Sequence, residues 1–145
     1  MKKKYRLGYT SGVFDLFHVG HLNIIKKAKE KCEKLIVAVS TDELVQKYKN
    51  KSPVISYYER KSIVEAIKYV DIVVPQENRN KIEAYKKYEF DVIFVGSDWR
   101  GSKVFNEVAQ YMSDNGKGRV EYIPYTDNTS STMLKNVLLS IYKEK

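Results

Sequence analysis

Short β-branched runs alternate along this chain with longer stretches whose apolar residues recur every three or four positions. The short runs read as strands at Tyr5–Thr10, Lys34–Ser40, Ile72–Val74, Val92–Val95 and Val120–Ile123. The periodic stretches read as helices. One runs from Leu22 through Ile24, Ile25 and Ala28 to Cys32, a short one follows the second strand, and others cover Tyr57–Lys68, Asn80–Tyr88, Val104–Asn115 and Ser131–Tyr142. In Tyr57–Lys68, Ser56 followed three residues later by Glu59 predicts a capping box, with Ile63, Ala66 and Ile67 on one face. Gly116-Lys117-Gly118 reads as a helix cap and turn. Strands that are nearly all apolar and alternate with helices imply a parallel sheet covered on both faces, which is an α/β, Rossmann-like fold. No repeat, low-complexity segment or linker divides residues 1–145, so a single domain is expected, with its ligand site at the carboxyl ends of the strands.

The segment between the first strand and the first helix, Gly12-Val13-Phe14-Asp15-Leu16-Phe17-His18-Val19-Gly20-His21-Leu22, holds both histidines of the chain. At a helix N-terminus the first N–H groups lack internal partners and the peptide dipoles leave about half a positive charge, so anions are favoured there. Gly12 and Gly20 let backbone approach a ligand closely. His18 and His21, three residues apart, face the same way on a first turn. Three readings follow: two satisfied polar residues at a helix start, a zinc pair completed by carboxylates such as Asp15, or a phosphate site built on imidazole N–H groups.

Composition narrows the classes. The chain has 145 residues, 43% hydrophobic and 30% charged, enough for one globular core. The lone Cys32, placed on the first helix, reads as a small packed hydrophobe. Met1–Lys4 is basic, but no apolar run or cleavage pattern of a secretion signal follows, and no run approaches a membrane span, so a cytoplasmic protein without membrane partners is expected. Neither G-x-x-x-x-G-K-[S/T] nor G-x-G-x-x-G occurs, which argues against a P-loop kinase and a dinucleotide oxidoreductase. The net charge of +8 suits anionic substrates. It also suits nucleic acid, with the twelve tyrosines as stacking surfaces, but the basic residues are spread over helix faces and no RNA-binding signature appears, so no nucleic-acid partner is expected.

Three further loops follow strands. Gly96-Ser97-Asp98-Trp99-Arg100-Gly101 offers a carboxylate, an indole and a guanidinium, although Trp99 can equally be a core anchor and Asp98 a cap. Pro124 through Thr132 is rich in hydroxyls and leads into a helix, so it is either an N-cap or a grip on phosphates. Lys47-Tyr48-Lys49-Asn50-Lys51 is a charge run that is either a solvated face or a third wall.

The histidine segment resembles the H-x-G-H signature of the nucleotidyltransferase superfamily, in its cytidylyltransferase branch. Ile36 to Leu44, Tyr58-Glu59-Arg60-Lys61, Lys68-Tyr69-Val70-Asp71, Gly96 to Gly101 and Thr126 to Thr132 follow in the order seen in glycerol-3-phosphate cytidylyltransferases, so the resemblance covers nearly the whole chain. It implies catalytic roles for His18, His21 and Lys49, and nucleotide contacts from Gly12, Val13, Phe14, Asp15, Gly20, Asp98, Trp99, Tyr125, Thr126, Ser130, Ser131 and Thr132. It implies acceptor contacts from Lys47 and Lys81, CTP and a small phosphomonoester as partners, Mg²⁺ as cofactor, and a homodimer helped by Lys68-Tyr69-Val70-Asp71. The implied reaction is CTP with glycerol 3-phosphate to CDP-glycerol and pyrophosphate, serving a cell-surface polymer such as teichoic acid or capsule; ATP as donor or another acceptor such as ethanolamine phosphate stays open. The chain departs from the branch's R-T-x-G-I-S-T-T motif, with Tyr125 at the arginine, Asn128 at the glycine and Thr129 at the isoleucine, and Ser97 stands at an aspartate. A tyrosine does not replace a bidentate, always-charged phosphate ligand. Stabilisation of the leaving group then falls to Arg100, Arg119, Lys135 or Mg²⁺.

Overall fold

In the computed structural model, which describes residues 3–126 and 130–143, the chain runs β1 (Tyr5–Gly12), α1 (Val19–Lys31), β2 (Cys32–Ser40), α2 (Asp42–Lys49), α3 (Tyr57–Glu65), β3 (Ile72–Gln76), α4 (Lys81–Tyr88), β4 (Val92–Gly96), α5 (Lys103–Asn115), β5 (Arg119–Ile123) and α6 (Ser131–Lys143). All strand pairs are parallel and the order is β3-β2-β1-β4-β5. The order reverses between β1 and β4. Connections there leave on opposite faces, and a crevice opens at the strands' carboxyl ends. α1 starts at this point.

Period-two alternation divides the core. Leu35, Val37 and Val39 of β2 face α1 and α3 with Ile25, Ala28 and Val64, whereas Ile36 and Ala38 face the other layer with Phe105, Val108 and Met112. The expected parallel sheet with helices on both faces is what forms.

Boundaries differ where tertiary bonds override periodicity. Cys32 is not on the first helix: it begins β2, pairs with Tyr5 and is fully buried. The Ser56–Glu59 capping box does not form, since the Ser56 side chain makes no cap bond and its hydroxyl meets the Glu59 carboxylate at 3.3 Å. α3 ends at Glu65 rather than Lys68. β3 runs on past Val74 to Gln76, and Pro75 is accommodated because β3 is an edge strand. α6 buries no residue; Met133, Val137, Leu138, Leu139, Ile141 and Tyr142 are exposed.

Candidate active site

The two histidines cap the helix they open. His18 is the N-cap of α1, and its Nδ1 accepts from the Gly20 N–H at 3.0 Å while the Nδ1 of His21 accepts from the His18 N–H at 3.2 Å. A ring nitrogen that accepts carries no proton, so both imidazoles are held as Nε2–H donors. Their rings stack with centroids 3.9 Å apart. Phe14 and Phe17 close around His21, at 5.5 and 5.2 Å between centroids. Burial, with the neighbouring His18, pulls the His21 pKa down to about 4, and burial also lowers that of His18. Nε2 of His18 is buried and bonds to no protein group among the described residues. The satisfied-cap reading is thus correct for the Nδ1 atoms and leaves the Nε2 atoms as neutral donors beside a helix N-terminus. The zinc reading lacks ligands: among the described residues no group of three or more His, Cys, Asp and Glu side chains gathers.

The loop carrying them is strained and braced. Phe14 and Leu16 sit in the left-handed region at φ 57° and 50°, which costs a non-glycine residue about 1–2 kcal/mol each. Asp15, 3% exposed, offsets this by accepting from the N–H groups of Val54 at 2.8 Å, Ile55 at 2.9 Å and Leu16 at 3.1 Å, and by pairing with Lys135 of α6 at 3.1 Å. Burial raises its pKa, but these donors outweigh that and hold it below the usual carboxylate value. Asp15 therefore positions the loop, with its oxygens committed to the protein. Gly12 faces inward: a Cβ there would meet the Phe14 ring at 3.1 Å, so the glycine makes room for the aromatic wall behind His21. Val13 contributes its carbonyl to Arg60, a residue that side-chain patterning did not single out. Arg60, 1% exposed, donates to the carbonyls of Val13 at 2.7 Å, Ser40 at 2.8 Å and Ile55 at 2.8 Å, and to Asp42 at 2.7 Å. One guanidinium ties the histidine loop, the end of β2, the start of α2 and the segment before α3 together.

On the β2–β3 flank, cations gather. Lys81 donates to Ser11 at 2.8 Å and to Gln76, whose amide in turn donates to Ser40 at 2.7 Å. Burial, then the nearby Arg79, pulls the Lys81 pKa down to about 8. The Lys49 pKa is lowered by burial and by Lys135, Lys51 and Arg79, with Asp15 opposing, and its ammonium lies 5.7 Å from the Tyr48 ring centroid. Lys47, two positions earlier on α2 and exposed like Lys49, lies roughly 200° around the helix from it.

On the β4–β5 flank, Ser97–Trp99 forms a 3₁₀ turn with Trp99 39% exposed and edge-on to Phe105 at 5.7 Å. The indole is neither a core anchor nor free of the core. Asp98 caps no helix; its carboxylate meets the Tyr125 hydroxyl, and burial with this contact pushes the Tyr125 pKa up to about 12. Tyr125 lies over Gly96, where a Cβ would meet the phenol at 2.9 Å. Thr126 accepts from Asn23 of α1 at 2.9 Å, Ser130 caps α6 through the Met133 N–H at 3.0 Å, and Ser131 donates to the Asp15 carbonyl. Thr132 is exposed beside them. Asn128 and Thr129 lie outside the described residues. Of the cations expected near a leaving group, Lys135 stands at this site. Arg100 covers the Tyr122 ring at 4.9 Å, and Arg119 begins β5 at the opposite end of the sheet, so it cannot contribute.

Asp71 of the segment expected at a dimer contact bonds within the chain, to Lys29 and to the Leu35 N–H at 2.8 Å. Among the described residues no helix is long and apolar enough to cross a membrane.

A glycerol-3-phosphate cytidylyltransferase from Bacillus spizizenii is 38% identical over 134 residues, covering 91% of this chain and 96% of that protein. An FAD synthase from Thermococcus sibiricus is 41% identical over 98 residues, 67% of this chain and 66% of that one. Among solved structures, a lipopolysaccharide core biosynthesis protein from Thermoplasma volcanium shares the fold with a TM-score of 0.73 at 21% identity, over 85% of this chain and 99% of its own. The family described as cytidylyltransferase-like matches residues 9–137, the span that holds the histidine cap, both cationic and aromatic flanks and the start of α6, and the chain belongs to that family of nucleotidyl-transferring enzymes.

Proposed function

We propose that this enzyme transfers CMP from CTP to glycerol 3-phosphate, giving CDP-glycerol and pyrophosphate. The observation that carries the chemistry is the pair of neutral Nε2–H donors fixed by the mutual cap of His18 and His21. A phosphomonoester has a second pKa of about 6 and is already a nucleophile at neutral pH, so the site has no proton to remove. An acceptor phosphate oxygen attacks the α-phosphorus, the bond to the bridging oxygen breaks, and its electron pair leaves with pyrophosphate. The task is to hold two polyanions in line and to stabilise charge on the equatorial oxygens. The histidines donate to the α-phosphate without adding a titrating charge, and Lys49 neutralises beside them. Asp98, Trp99, Tyr125 and Thr126 form the wall for the nucleoside, and Ser130, Ser131 and Thr132, at the start of α6, face the β- and γ-phosphates. Gly20, buried in the first turn of α1, donates the N–H that His18 Nδ1 accepts.

Mg²⁺ is the proposed cofactor, carried in on the triphosphate. Such ions keep several waters and need one or two carboxylates besides phosphate oxygens, and the described residues gather no all-protein cage. Bound there, it would neutralise phosphate charge. The similarity to an FAD synthase favours one second reading, adenylyl transfer from ATP, since FAD carries an AMP unit on a flavin phosphate. A homodimer is the proposed assembly, supported by the exposed apolar face of α6.

Pyrophosphate release with Mg²⁺ separates these readings, using CTP and ATP each against glycerol 3-phosphate, ethanolamine phosphate and buffer. CTP turnover that needs glycerol 3-phosphate and is lost in His18→Ala is the expected result. Turnover with ATP alone moves the donor, and turnover that survives in His18→Ala removes the histidine mechanism.

A further inference from the structure

We infer that Arg79, braced by Tyr48, is the residue that selects a phosphomonoester dianion as acceptor at the carboxyl end of β3. This rests on the nucleotidyl-transfer reading and goes beyond it, because neither the motif pattern nor the lysine run points to Arg79.

The Arg79 guanidinium lies over the Tyr48 ring at 4.5 Å. Tyr48 is half-buried beside Ser40 at the end of β2. A guanidinium on an aromatic face keeps its in-plane N–H groups free, and stacking is the contact in which arginine surpasses lysine. Tyr48 therefore fixes the plane of the group while leaving its hydrogen-bonding edge open. Lys81 and Lys49 stand close enough for Arg79 to lower the proton affinity of both. Among the described residues none of these three cations pairs with a carboxylate within 4.0 Å. Asp15, the carboxylate that acts on Lys49, is committed to Lys135 and three backbone N–H groups.

Like charges held together without a counter-charge favour an anion that carries two negative charges and presents oxygens to a planar fork. An in-line displacement puts the attacking and departing oxygens on opposite sides of the phosphorus. Ser130 and Ser131 approach the histidine loop with α6, and Arg79 and Lys81 approach it from beyond β2. The arginine absent at Tyr125 is thus not replaced in kind on the leaving-group side; the fixed guanidinium of this site is on the acceptor side.

Calorimetric titration with glycerol 3-phosphate, with and without a non-hydrolysable CTP analogue, tests this in Arg79→Gln, Arg79→Lys and Tyr48→Leu. Arg79→Gln is expected to weaken glycerol 3-phosphate at least tenfold while CTP-analogue affinity stays within about twofold. Arg79→Lys recovers only part, because a point charge lacks the fork, and Tyr48→Leu gives an intermediate loss with the charge intact. Glycerol sulfate, a monoanion of similar shape, binds the wild type weakly and loses little in Arg79→Gln. Equal affinity of the wild type and Arg79→Gln for glycerol 3-phosphate overturns the inference, as does an equal loss for the CTP analogue or no phosphomonoester binding by the wild type. Failure of catalysis is separate: if the Arg79-dependent binding is found and no pyrophosphate is released, the acceptor site stands and the transfer reading falls.

Discussion

His18 caps α1 through Nδ1 and, in the proposed mechanism, donates from Nε2, and the two roles can be separated. Asparagine is among the best N-caps, so His18→Asn keeps a cap acceptor and removes the Nε2–H donor. The expected result is a melting temperature within a few degrees of wild type and a kcat lower by about 10²–10³, the usual loss for one donor to a developing oxyanion. A large fall in stability with unchanged kcat would reduce the residue to a cap. The proton affinities give a second prediction. With its pKa near 4, the His21 ring is neutral throughout the working range and does not set the acid limb of activity, and burial moves the His18 pKa in the same direction. That limb follows the acceptor's own second ionisation, at about pH 6, and moves upward with a more basic alkyl phosphonate acceptor. On the alkaline side Lys81, its pKa held at about 8 by burial and Arg79, is protonated below that value and neutral above it. The KM for the acceptor therefore rises as pH passes 8, and Lys81→Met removes this alkaline rise; a rise that persists in Lys81→Met refutes the assignment.

At the scale of elements, Arg60 joins four segments that the sheet alone does not fix. Its Asp42 partner is 43% exposed, so the ion pair itself contributes little, and the weight lies in the carbonyls of Val13, Ser40 and Ile55. Arg60→Met leaves these acceptors unpaired, and urea unfolding is expected to show a loss of about 3–5 kcal/mol. Arg60→Lys, with one donor head in place of a fork, recovers less than half; equal stability of wild type and Arg60→Met would show that water replaces the guanidinium. This bracing also marks what was legible in the sequence. The parallel sheet, its helices and the site at the end of β1 follow from periodicity and from the histidine pair at a strand-to-helix turn. The bonds of Asp15 to Val54, Ile55 and Lys135 and of Arg60 to Val13 connect positions 39 to 120 residues apart, and no local pattern carries them. Ser56 and Glu59 had the sequence of a capping box and His18 and His21 did not, yet the histidines formed it. Imidazole Nδ1 can do at N-cap and N3 what hydroxyl and carboxylate usually do, and residue-type rules omit that. Lys47 and Lys49 are neighbours in a charge run, and helical rotation sets them roughly 200° apart.

At the scale of the molecule, α6 carries an apolar face that the described residues leave uncovered. Its first turn is anchored by Ser131 and Lys135 on Asp15, yet Met133, Val137, Leu138, Leu139, Ile141 and Tyr142 are 39–79% exposed. Met133, Val137 and Ile141 form one ridge at four-residue spacing, and Leu134, Leu138 and Tyr142 form the next. In the proposed homodimer these ridges would interlock with the same ridges of a second copy across a two-fold axis. Each copy would bury on the order of 500 Å² of this face, so a pair reaches about 1,000 Å², near the lower edge of specific interfaces. Sedimentation at tens of micromolar is expected to give a dimer for the wild type and a monomer for the double variant Val137→Asp, Ile141→Asp, neither residue touching Asp15 or the histidines. Because α6 also carries Lys135 to Asp15, the monomer is expected to show lower nucleotide affinity, through a start of α6 that is less firmly held. A wild-type monomer would refute the pairing, and a dimer that persists in the double variant would place the contact on another face.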